Sequence, residues 1–161
     1  MNSHPYSHLV GYKQWADRGL FRIVGEKLSQ LDSQDAANLL RVLDHMHVVD
    51  RIFQHHLQGQ PHGFEAPRSK DVPDIGRLIA DAMAVDDWYV SYVGTVSGPD
   101  FEQPVDFVLT NGAPVCMTRG EILLHVCMHG TYHRGNAGIL LLKNGIAPND
   151  DRMTDFLQAA A

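Results

Sequence analysis

The stretch Leu124-His125-Val126-Cys127-Met128-His129-Gly130-Thr131-Tyr132-His133-Arg134-Gly135 carries three histidines at intervals of four. On an α-helix, residues four apart stand one turn above each other on a single face. Two imidazoles so placed can converge on one point in space, as metal coordination requires. A third ligand must then come from another helix, and His45 is the candidate the chain offers. The stretch predicts a helical protein with a metal site.

Advanced at about 100° per residue, His129 and His133 fall inside the apolar stripe formed by Ile122, Val126 and Leu140. His125 lies at its edge, and Asn136 shares the face. Bare inward imidazoles would be costly, and coordinating a metal removes that cost. Hydrogen-bonded core histidines are the plainer alternative, which the paired spacing disfavours. On an earlier helix, His45 falls beside Val49 and Ile52, whereas His47 falls between Gln54 and Asp44. His45 is therefore the better inward candidate and His56 the next. His4, His8, His55 and His62 read as solvated. Cys127 lies two residues from both His125 and His129, so it faces away from them as a small apolar residue. Cys116 is either free or buried. Asp86-Asp87 reads as helix surface. No Gly-rich phosphate loop, Gly-x-Ser-x-Gly elbow or His-Glu-x-x-His signature is present.

Working outward, Thr118-Arg119-Gly120-Glu121 matches a capping box, and the histidine helix is predicted over 119–143. Asn144-Gly145 is a natural stop. Before it, Val105, Phe107 and Leu109 alternate with polar residues, and Asn111-Gly112 is a hairpin turn signal. Residues 113–117 form the returning strand, which Pro114 confines to an edge. Apolar residues at helical spacing predict helices over 5–29, 34–58 and 74–96, with a Gly/Pro-rich loop over 58–74. A short last helix is expected over 150–159. Four long helices with one hairpin indicate an all-α, up-down bundle whose sites lie between facing helices.

At 161 residues, a single domain spanning 1–161 is expected, with room for an ordinary core. The net charge of −6 argues against nucleic acid as a partner. No apolar run approaches the roughly 20 residues of a membrane span. The segment Met1-Asn2-Ser3-His4-Pro5-Tyr6 has neither a basic region nor an apolar stretch, so no secretory signal is expected. Two cysteines make no disulfide framework, and a cytoplasmic location follows by default.

The run His125-x-x-x-His129-Gly130-Thr131-Tyr132-His133-Arg134-Gly135-Asn136 resembles the signature helix of the DinB/YfiT-like metalloenzyme family. Leu43-Asp44-His45-x-x-Val48-Val49-Asp50-Arg51-Ile52-Phe53 resembles that family's second-helix segment. Tyr12-x-x-Trp15-Ala16 is similar to its first helix. The lead-in Met117-Thr118-Arg119-Gly120-Glu121-Ile122 and the tail residues Ile146-Ala147-Pro148 and Asp155-Phe156-Leu157 extend the resemblance over nearly the whole chain. The resemblance implies an up-down-down-up four-helix bundle, often dimeric, with a small hairpin before the metal helix. It assigns metal binding to His45, His129 and His133, the triad that the helical geometry prefers. His125 matches a family histidine that usually is not a ligand. Asn136 stands where many members have glutamine.

The implied cofactor is a divalent metal, zinc or nickel foremost, with iron compatible, since three imidazoles suit several such ions. Three protein ligands leave an open position, the pattern of catalytic zinc sites. The resemblance then favours a thiol S-transferase or a hydrolase, with a small-molecule substrate and a low-molecular-weight thiol as candidate partner. Arg134 is placed to bind a substrate carboxylate, to contact a group behind the metal ligands, or to form a surface salt bridge. Tyr132 either reaches the cleft or packs. The rivals are a non-catalytic metal-binding or stress-response protein and a purely structural dimer. An enzyme predicts a polar cleft beside the metal.

Overall fold

The structure, a computed structural model, describes residues 5–160; the readings of His4 and of the first four residues lie outside the described residues. Four long helices, a two-stranded hairpin and a short final helix make up the fold. They are α1 (Pro5–Lys27), α2 (Ser33–Gln58), α3 (Ile75–Thr95), β1 (Pro104–Val108), β2 (Pro114–Thr118), α4 (Arg119–Lys143) and α5 (Met153–Ala159). No helix is long and apolar enough to cross a membrane.

Local chemistry explains most of the boundaries. Asp32 caps α2, and Asp74 caps α3, each accepting backbone N–H groups of the first turn. Thr118 and Glu121 form the expected reciprocal capping box on α4. Both α2 and α4 end in Schellman motifs with glycine at positive φ. Gln60 N–H donates to His55 O and Gly59 N–H to His56 O; Ile146 N–H donates to Leu141 O and Gly145 N–H to Leu142 O. Helix α1 stops at Lys27 rather than at residue 29, and Leu28–Gln30 continue as a 3₁₀ turn. The strands pair antiparallel with Phe107 opposite Val115. Their connection is longer than a two-residue hairpin. Gly112 N–H closes a turn onto Leu109 O, and Gly112 takes the positive φ that follows.

Helices α1 and α2 each pack against both α3 and α4. The buried apolar residues fall into two clusters. One, near the hairpin, contains Val10, Phe53, Tyr89, Phe101, Phe107 and Ile122. The other, at the opposite end, contains Leu20, Phe21, Leu39, Leu43, Leu78 and Leu141. Between them on α1 stand Lys13 and Asp17, and between them on α4 stand His129, His133 and Arg134. The molecule thus has a polar layer across its middle.

Leu43 is fully buried in the second cluster, so Leu43→Ala leaves a cavity there. The expected loss is about 2–5 kcal/mol of unfolding free energy, measured by urea denaturation with an unchanged m-value.

Candidate metal centre

His45, on α2, and His129 and His133, one turn apart on α4, bring one ring nitrogen each to within 4.8 Å of one another. Their rings contact mutually, with centroids 4.8 Å apart for His45–His129, 4.6 Å for His45–His133 and 4.4 Å for His129–His133. The Nε2 atoms of His45 and His129 are 3.0 Å apart. Zinc–imidazole bonds of roughly 2.0–2.1 Å at tetrahedral angles need nitrogens roughly 3.3 Å apart. The cluster is therefore of the right size for a divalent ion.

The tautomer of His45 supports that fit. Its Nδ1 lies 2.6 Å from Pro67 O, in the loop after α2, and a carbonyl can only accept. Nδ1 therefore carries the proton, and the Nε2 lone pair faces His129. Such an outer hydrogen bond is how metal-ligating histidines are usually oriented. His129 is pushed down to about 3 by burial, with the neighbouring His133 and His45 adding to the effect. His133 is lowered by burial and then by His45. Both are neutral at physiological pH, the form that ligates. The Nδ1 atoms of His129 and His133 are buried without a hydrogen-bond partner.

The remaining residues singled out from the sequence divide. His125 stacks on His129 at 5.8 Å and tilts against Phe53 at 4.6 Å, outside the triad. Tyr132 is 69% exposed, with its ring edge-on to His133 at 5.0 Å. Asn136 is half-buried one turn beyond. Cys127 is buried and Cys116 exposed, both as free thiols. His47 is buried, contrary to its polar position in the sequence reading, and burial holds it down at about 4. His56 is buried against Phe107, stacked at 4.1 Å.

Arg134 requires a correction. It is 3% exposed and sits in neither a surface salt bridge nor the cleft. Its guanidinium pairs with Asp17 at 2.9 Å and Asp151 at 2.7 Å, because one step along the helix from His133 turns it toward α1. Asp86 is also no surface residue: it is 2% exposed, beside Lys13 at 2.6 Å. Lys13 was not foreseen at all. Its ammonium is 1% exposed and bridges Asp17 at 2.8 Å, Asp50 at 2.7 Å and Asp86 at 2.6 Å, drawn from α1, α2 and α3. These three carboxylates lie close enough together to suggest a second cation site. The chain supplies that cation itself, since the ammonium already stands among them. A signal was present: Lys13 and Asp17 follow Leu9 and Tyr12 down the apolar stripe of α1, and Asp86 stands between Ala82 and Tyr89 on that of α3.

Burial alone would lower Lys13, but Asp17, Asp50 and Asp86 outweigh it and hold the ammonium well above its usual range. Burial raises Asp86 to about 8 and Asp50 to about 6, with Lys13 offsetting only part. Between the usual value of 3.8 and about 8, the folded chain holds a proton on Asp86 that the unfolded chain has released. Stability from this group therefore falls as pH rises through that window. Wild type should lose stability relative to Asp86→Asn between pH 5 and pH 8.5, by up to about 1.4 kcal/mol per pH unit. Parallel denaturation curves across that range measure it; a constant difference would contradict it.

The DinB family model matches residues 1–160 of the chain. No curated protein matches it.

Proposed function

The chain belongs to the DinB family, and from that premise we propose that it is a divalent-metal enzyme acting on a small molecule, as a thiol S-transferase or a hydrolase. His45, His129 and His133 are its metal ligands. The observation that carries this reading is the convergence of the three ring nitrogens, with His45 held in the ligating tautomer by Pro67 O. Three protein ligands leave a position for substrate, as in catalytic zinc sites. Zinc or nickel, or iron, would act there as a Lewis acid that lowers the pKa of an incoming thiol or water. The chain's residues do the positioning. Pro67 O aims the His45 ring, burial keeps His129 and His133 neutral, and His125 and Tyr132 flank the ligand rings. A cavity of about 410 Å³ that shares His45 favours an enzyme over a non-catalytic metal-binding or stress-response protein.

The same reading takes the chain as one domain with up-down-down-up helices. In support, α2 and α4 run in opposite directions where they meet, His45 lying beside His133 and Phe53 beside His125. It takes the protein as a cytoplasmic homodimer with no nucleic-acid partner. The two free thiols support a reducing compartment. An exposed apolar row on α4, comprising Leu124, Met128, Tyr132, Ile139 and Leu142, supports a partner surface. Net charge supports the exclusion of nucleic acid.

Protein purified without a histidine tag should hold about one metal ion per chain. Elemental analysis should find it lost in His45→Ala, His129→Ala and His133→Ala, and kept in His125→Ala. Metal absent from wild type, or retained by the triad variants, sinks the reading. Thiol transfer to small electrophiles should fall with the metal. For the dimer, sedimentation equilibrium should find Met128→Glu/Ile139→Glu monomeric under conditions where wild type is dimeric.

A further inference from the structure

The cavity beside His45 is lined by Arg41, Asp44, His45, Ala66, Pro67 and Arg68. Arg41 stands one helical turn before His45 on α2. Arg68 follows Pro67, the residue whose carbonyl holds the His45 ring. Among the described residues, neither guanidinium has an ion-pair or hydrogen-bond partner. Arg22 and Arg51 likewise have none, while Arg18, Arg77, Arg134 and Arg152 each pair with an aspartate; what sets Arg41 and Arg68 apart is that both line one cavity. Two exposed arginines and a single carboxylate, Asp44, line this cavity, a local excess of positive charge in a chain of net charge −6. Such groups present planar forks of N–H donors that match a carboxylate in two-pronged fashion.

Asp44 adds a second, independent sign. It is 1% exposed, and its Oδ2 accepts the Ser69 N–H at 2.8 Å. Its Oδ1 is buried and has no partner. A buried carboxylate oxygen left without a donor is unfavourable, and a cavity wall is where a ligand can supply one. The cavity therefore has two arginines on its wall, a buried acceptor without a partner just behind it and one edge shared with the histidine triad.

We propose that this cavity is the recognition subsite for an anionic substrate: a small carboxylate carrying a hydroxyl or amino group. Arg41 and Arg68 take the carboxylate, and Asp44 Oδ1 accepts from the hydroxyl or amine. The reactive end of the substrate then lies toward His45, His129 and His133. This inference rests on the metal-enzyme reading above for the last point only.

The test has two arms, kept at about 0.15 M ionic strength so that diffuse attraction is screened. First, metal-free protein is titrated with 2-hydroxyglutarate, glutarate and uncharged glutaramide, following the Arg41 and Arg68 side-chain N–H resonances. Saturable binding of 2-hydroxyglutarate is expected, with glutarate weaker and glutaramide not bound. Arg41→Gln/Arg68→Gln should weaken it at least about tenfold. No saturable binding, or binding indifferent to the double substitution, overturns the subsite; glutarate binding as tightly as 2-hydroxyglutarate overturns the role of Asp44.

Second, cobalt-loaded protein is titrated with 3-mercaptopropionate and 2-mercaptoethanol, read by the thiolate-to-cobalt absorption. The carboxylated thiol should bind about tenfold more tightly, and the double substitution should erase that preference while sparing 2-mercaptoethanol. An equal affinity in wild type overturns the link between cavity and centre. Failure of the protein to take up cobalt sinks the metal reading, and the first arm still decides the cavity.

Discussion

The Lys13 ammonium is the interaction on which the rest of the molecule turns. It is buried in the middle of the fold and is met by carboxylates from α1, α2 and α3, while Arg134 of α4 closes on the same Asp17. Buried ion pairs of this kind add little to stability over an apolar core, yet losing one partner costs about 3–5 kcal/mol because a bare charge remains. The consequence is specificity of arrangement. Apolar faces tolerate sliding by a turn, but a buried ammonium with three short contacts does not. The helices are held in the one register that satisfies it, and that register sets His45 opposite His129 and His133.

Two polar systems therefore share the middle layer and are kept apart by helix phase. On α4, His133 faces α2 while Arg134, one residue on, faces α1. Gly130 lies between them in phase, and its lack of a side chain matters: a Cβ there would meet Arg134 Nη1 at 3.1 Å and Lys13 Cε at 3.5 Å. The cations can thus approach the backbone of the helix that carries the histidines. One system is charged and internally neutralised. The other is a group of three imidazoles, two of them held neutral by burial, that could hold a cation from outside.

How much of this was legible in the sequence follows from which signals are local. Helix caps, the Asn144-Gly145 stop and the hairpin are decided by residues within five positions of each other, and they lie where the sequence puts them to within a residue or two. The shared facing of His129 and His133 follows from helical period alone, whereas the period of α2 ranked His45 as more inward than His47 and the structure buries His47 more deeply. Lys13, Asp86 and Arg134 were misjudged or missed for a common reason. A charged residue on a helix reads as solvated unless its partner is known, and these partners lie far off: Asp86 is 73 residues from Lys13, and Asp17 is 117 from Arg134. His47 was misplaced similarly: it is buried, although its helical phase puts it among polar residues.

The closing of the tail ties the two ends of the described fold to its middle. Asp151, just before α5, accepts from the Tyr12 hydroxyl and from Arg134, which itself neutralises Asp17. Asp151 lies 139 residues after Tyr12. Without α4 and the segment before α5, Asp17 would keep Lys13 but lack the guanidinium of Arg134. The middle layer is therefore complete only when α1, α4 and the segment before α5 are all in place.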